Sequence, residues 1–215
     1  SRMYDMDYAS AFAYKFGGSY PALSAQKRSV ASLLQEMENT KIVMAVYEIG
    51  YAPNIDVNAE AYDFLQIHGD HFVAMIGTNI TDIPASLQAI KQYHSLAHFA
   101  GVNIDPGTPL LGVYSKYIDD ETLFPIYQLC QDLNLPVTVA FGGYAYPDIT
   151  AYLPVRIENV TRVFPNLRLC FCHGVWPYTT QICGLALQYQ NVYLCPDSYL
   201  MLMPSYQDYI IAANY

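Results

Sequence analysis

The chain has 215 residues, 53% of them hydrophobic and only 13% charged, with a formal net charge of -9. This composition supplies one sizeable core, and the acidity argues against a nucleic-acid partner, which needs clustered lysine and arginine. No apolar run reaches the roughly 18 residues of a membrane helix and no secretory signal opens the sequence, so a cytoplasmic protein with no membrane partner is expected.

Short β-branched runs alternate with helical stretches along the chain. Strands are expected over residues 41–47, 72–79, 101–104, 137–141, 167–171 and 192–195. Helices are expected between them, over 25–39, 57–69, 84–98, 119–133, 151–164 and 178–189. Thr81-Asp82-Ile83-Pro84 and Asp119-Asp120-Glu121 each offer a capping carboxylate at a helix start, with Pro84 suited to the first turn. No linker or charge block interrupts the pattern, which predicts one domain over residues 1–215. Strict alternation implies parallel strands and right-handed crossovers. Two architectures fit: an eight-stranded barrel weak at its first and last strands, or an open doubly wound sheet. No Gly-x-Gly-x-x-Gly follows a strand, so a dinucleotide fold has no positive signal.

The most informative segment is Cys172-His173-Gly174-Val175-Trp176-Pro177. It closes an apolar strand and leads into a helix, placing an imidazole at the carboxyl end of a parallel strand, where such folds keep their chemistry. Imidazole titrates near neutrality and suits proton transfer; a packing histidine is the alternative reading. Asp197, after the next strand, would lie beside His173 and orient it or raise its pKa, or else cap the segment that follows. Glu48, Asn79, Asn103 and Asp105 fall at other strand ends, as residues of a site at that face or as loop hydrogen-bonders. Trp176, the only tryptophan, would wall a pocket or pack. Gly142-Gly143-Tyr144 is a turn or a close backbone approach to an anion.

His68 with His71, and His94 with His98 at helical i, i+4 spacing, read as surface or packing residues on outward helix faces. The five cysteines (Cys130, Cys170, Cys172, Cys183, Cys195) show no framework spacing and read as reduced thiols of an intracellular protein. Cys170 and Cys172 share a strand face, the minimum for a paired soft-metal site, but no second ligand pair lies nearby. Cys172 and His173, as neighbours on a strand, face opposite sides. Twenty-one tyrosines on a charge-poor chain suggest a buried oligomer face or an aromatic-lined pocket.

Several segments together resemble the amidohydrolase-related family, in the branch of aminocarboxymuconate-semialdehyde decarboxylase and related aromatic acid decarboxylases and hydrolases. They are Gly101-Val102-Asn103-Ile104-Asp105-Pro106-Gly107, Asp119-Asp120, Leu123-Phe124-Pro125-Ile126-Tyr127, Leu135-Pro136-Val137, Val163-Phe164-Pro165-Asn166-Leu167 and Gln190-Asn191-Val192-Tyr193-Leu194, in order about His173. The resemblance runs over about residues 24–209. It implies an α/β fold, a (β/α)8 TIM-like barrel, here incomplete at its first and last strands, since the sequence ends near where the loop to the eighth strand is expected.

Members of that family hold a divalent metal with a His-x-His on the first strand, a His closing the fifth and an Asp on the eighth, with a further His on the sixth. His173 matches the sixth-strand position. The fifth falls at Ala140, which cannot ligate, and no His-x-His occurs; Asp5-Met6-Asp7 is the nearest N-terminal candidate. A catalytic zinc needs about three protein ligands. Zinc is thus implied by the resemblance while its ligand set is not visible, and the chain resembles metal-poor members more.

The expected function is hydrolysis or non-oxidative decarboxylation of a small carboxylated or aromatic metabolite. His173 would transfer the proton and Asp197 orient it, with Asn103, Asp105, Tyr144, Trp176 and Glu48 contacting substrate in a homo-oligomer. A non-catalytic, metal-free barrel relative that binds a metabolite or partner chain is the alternative.

Overall fold

The computed structural model describes residues 29–50, 56–106, 116–141, 149–197 and 206–214. Its contacts cluster into two compact units, Ser1–Ala45 and Val46–Tyr215.

In the first unit, helix α1 (Val30–Thr40) begins at Ser29, whose side chain accepts from the Ser32 N–H. It ends at Lys41, left-handed at φ 59°, with the N–H groups of Lys41 and Ile42 returning to the carbonyls of Glu38 and Met37. This reversal delays the strand expected over 41–47. Strand β1 instead covers Ala45–Glu48, and from Val46 on it belongs to the second unit.

In the second unit the chain runs α2 (Val57–His68), β2 (Phe72–Gly77), α3 (Ile83–Tyr93), β3 (Phe99–Ile104), α4 (Phe124–Asp132), β4 (Val137–Val139), α5 (Pro154–Val163), β5 (Leu169–Cys172), α6 (Thr179–Gln188), β6 (Val192–Cys195) and α7 (Tyr206–Ala212). The six parallel strands are ordered β1-β2-β3-β4-β5-β6, the order of a barrel wall rather than of a doubly wound sheet. They form part of a (β/α)8 barrel.

Side-chain alternation assigns the two sheet faces. Val102, Ile104, Val137, Val139, Leu169, Phe171 and Val192 are buried, on the face covered by helices. The register Asn103↔Thr138↔Cys170 and Cys172↔Cys195 puts small and polar groups on the other, barrel-interior face.

The expected caps form. Asp82 accepts from the Ala85 N–H at 3.0 Å, and Asp120 accepts from the Thr122 N–H at 2.9 Å. The helix expected over 84–98 stops at Tyr93, and His98 lies beyond it at φ 69° with its ring against Gly69. His94 and His98 therefore do not share a helix face. The helices expected over 119–133 and 151–164 each open with a 3-10 turn, Glu121–Leu123 and Ile149–Tyr152. Helix α7 has no counterpart in the sequence reading.

Candidate active site

The site is built at the carboxyl ends of β1, β5 and β6. After Cys172, three successive residues are left-handed: His173 at φ 62°, Gly174 at φ 56° and Val175 at φ 58°. Glycine takes this region without penalty, but a β-branched valine costs on the order of 1–3 kcal/mol there and persists only where surroundings enforce it. Four elements do so. The His173 N–H donates to Asp197 Oδ2 at 2.7 Å, and the His173 carbonyl accepts from the Trp176 N–H at 3.2 Å and the Tyr209 hydroxyl at 2.9 Å. The Gly174 carbonyl accepts from Thr179 Oγ1 at 3.0 Å. A Cβ built on Gly174 would overlap the Tyr209 ring, so the helix packs where only glycine fits.

Asp197 holds the imidazole as well as the backbone, its carboxylate lying 2.9 Å from His173 Nδ1. This favours a proton on Nδ1 and makes Nε2 the basic nitrogen. The two side chains keep 22% and 27% of their surface exposed, so a small molecule can reach them.

Glu48 faces the same place from the end of β1. Cys172 Sγ donates to Glu48 Oε1 at 2.7 Å. The residue as a whole is exposed, but its carboxyl end is enclosed. Desolvation raises the Glu48 pKa, the Cys172 bond and the His173 charge oppose it, and the carboxylates of Asp197 and Asp105 add to the rise. The Cys172 thiol is pushed up by its hydrogen bond with Cys195, by burial and by the Glu48 carboxylate. The same bond would lower Cys195 if Cys172 donated to it. Cys172 has one proton, committed to Glu48, and burial beside that carboxylate holds its thiol above the usual range.

Among the expected substrate contacts, Asn103 is buried, with its amide spent on the scaffold: Nδ2 donates to the Ile49 carbonyl at 3.1 Å and Oδ1 accepts from Thr138 Oγ1 at 3.0 Å. Asp105 follows β3, half-buried, near enough to influence Glu48. Trp176 is half-buried and closes the left-handed turn. Asn79 receives Thr81 in a local turn. Tyr144, with Gly142 and Gly143, lies outside the described residues, as do Asp5 and Asp7. Sequence reasoning missed Tyr209 and the Glu48–Cys172 contact. Alternation signals that Cys172 faces the barrel interior, but no local pattern identifies its partner.

Ala140 follows β4 where the resemblance implies a ligand, and among the described residues no group of three or more His, Cys, Asp or Glu side chains is arranged to hold a metal ion. An open cleft of about 550 Å³ lies elsewhere, at the amino ends of β5 and β6, lined by Arg162, Arg168, Asn191 and Tyr193. Glu48, Cys172, His173 and Asp197 meet at the carboxyl ends of the strands, away from that cleft.

An amidohydrolase family model matches residues 20–214. An uncharacterised TIM-barrel protein of Bordetella bronchiseptica is 30% identical, with a TM-score of 0.80 over 100% of this chain and 76% of its own. The 2,6-dihydroxybenzoate decarboxylase of Rhizobium superposes with a TM-score of 0.67 at 13% identity, over 93% of this chain and 80% of that one. The 5-carboxyvanillate decarboxylase of Sphingomonas paucimobilis gives 0.59 at 13%, over 92% and 73%. The two decarboxylases are similar in fold alone. No protein of curated function matches the sequence. No helix among the described residues is long and apolar enough to cross a membrane.

Proposed function

The chain belongs to the amidohydrolase family, and from that premise we propose that it is an enzyme acting on a small aromatic or carboxylated metabolite, with His173 as its proton-transfer group. The observation that carries this reading is the double hold of Asp197 on His173, through the backbone N–H and Nδ1. A residue fixed at both points presents Nε2 in one direction, which is what a positioned acid or base requires.

Non-oxidative decarboxylation suits the site better than hydrolysis. Nε2 of a protonated His173 delivers a proton to the ring carbon that bears the carboxylate. The carbon–carbon bond then breaks, its electron pair rearomatises the ring and carbon dioxide leaves. Asp197 stabilises the imidazolium before transfer and keeps the tautomer after it. Glu48, whose pKa desolvation raises, faces the same space from the end of β1 and lies within reach of the substrate carboxylate. Asp105 and Trp176 complete the walls, and Asn103 positions the ends of β1 and β4 around them. Two decarboxylases of aromatic acids among the fold relatives support the substrate class.

The test is carbon dioxide release and substrate loss over a panel of hydroxybenzoates, with His173→Gln beside the parent. Turnover that vanishes in His173→Gln supports the assignment; equal turnover in both removes His173 from the chemistry. A second reading, a non-catalytic barrel relative that binds a metabolite or partner chain, is favoured by Ala140 at a strand end where the resemblance implies a ligand. It would be upheld by ligand binding in calorimetry without turnover. A homo-oligomer belongs to the first reading, and light scattering tests it.

A further inference from the structure

We propose that Cys172 and Cys195 are a peroxide-oxidisable pair that closes to a reversible disulfide across β5 and β6, beside His173 and Asp197. The sheet pairs the two residues directly in register at the ends of their strands. Adjacent strands lie about 4.8 Å apart, inside the roughly 4.4–6.8 Å separation of Cα atoms that a disulfide spans. Both are free thiols, and alternation puts both on the barrel-interior face. The inference does not depend on the reaction assigned above.

The two cysteines differ in ways that set the order of events. Cys195 is half-buried and open to a small oxidant, whereas Cys172 is buried with Sγ 2.7 Å from the Glu48 carboxylate. The Cys195 thiolate attacks hydrogen peroxide, the oxygen–oxygen bond breaks, and sulfenic acid forms with release of hydroxide, which takes the thiol proton and leaves as water. Glu48 then accepts the Cys172 proton, and the resulting thiolate attacks the Cys195 sulfur. The sulfenic oxygen departs as hydroxide and becomes water with that proton. In sum, two thiols and one peroxide give one disulfide and two waters; two equivalents of an external thiol reverse it. Cys170, two residues earlier on β5, is paired in register with Tyr193, and burial, with the Cys195 charge adding, raises its pKa to about 11.

The closed form removes the S–H that Glu48 accepts, so oxidation leaves that carboxylate without its Cys172 donor at the mouth of the site. It is a thiol switch on the same cluster.

The experiment treats the full chain with hydrogen peroxide, quenches in acid, alkylates free thiols under denaturing conditions and maps peptic peptides by mass spectrometry with and without dithiothreitol. The expected result is loss of two of the five thiols, a Cys172–Cys195 cross-linked peptide, and full recovery on reduction. In Cys172→Ser, Cys195 should instead be trapped as a dimedone adduct, and in Cys195→Ser Cys172 should stay alkylatable. Five free thiols after peroxide, a link through Cys170, or over-oxidised Cys195 without a cross-link would each overturn the proposal. The wild-type map decides the matter even where a variant folds poorly.

Discussion

The hydroxyl of Tyr209 donates to the carbonyl of His173 at 2.9 Å from thirty-six residues further along the chain, while its ring occupies the space a side chain at Gly174 would need. Helix α7 thereby holds the turn that aims the imidazole. Tyr209→Phe should keep the ring packing and lose about 1 kcal/mol of stability. Gly174→Ala should cost more than about 2 kcal/mol, since it adds a left-handed alanine to a steric overlap. Urea denaturation of the two variants reads the order. An alanine at 174 that costs less than the lost hydroxyl would show that the helix gives way to the turn.

Asp197 satisfies a backbone donor and an imidazole at once. Asp197→Ala should destabilise by about 1–3 kcal/mol, because the His173 N–H loses its acceptor, and should lower turnover together with stability. Asp197→Asn keeps an acceptor for the backbone and should restore most of the stability while leaving turnover about 100-fold or more below the parent. Stability and rate measured on both variants separate the two roles; an asparagine variant with parental turnover argues against orientation by charge.

Glu48 binds its proton more tightly when folded than when unfolded, since desolvation raises its pKa above 4.5. Between those two values the folded chain carries more protons, so this residue's contribution to stability falls as pH rises through the window and is most favourable below it. Glu48→Gln removes that dependence. The stability difference between variant and parent, followed by denaturation from about pH 4 to pH 8, should grow in favour of glutamine as pH rises. A flat difference would mean that Glu48 titrates alike in both states.

Asn103 ties the Ile49 carbonyl to Thr138 across three strands. Asn103→Leu strands both partners in a buried setting and should cost about 2–4 kcal/mol, with loss of any turnover following from misplaced strand ends. Thr138→Val breaks one bond and should cost less. Hydrogen exchange at β1 and β4 checks the location of the effect.

Six strands, their order of appearance and the nearness of His173 to Asp197 were legible in the sequence because they rest on local signals: β-branched runs, period alternation, capping aspartates and a histidine at a strand end. Helix α1 ended one residue later than expected and β1 began four residues later, because a left-handed Lys41 turns the chain back onto its own carbonyls, a conformation no composition pattern announces. Asn103 reads from sequence as a polar strand-end residue open to ligand; its side chain is instead committed to neighbouring strands, which only their register reveals. The pairs Glu48–Cys172, Cys172–Cys195 and His173–Tyr209 join residues from 23 to 124 positions apart. Such contacts depend on which strands become neighbours when the sheet curls, and that is decided by the packing of the whole unit. Sequence chose the elements and the chemistry each could carry. Tertiary structure chose which of those groups meet.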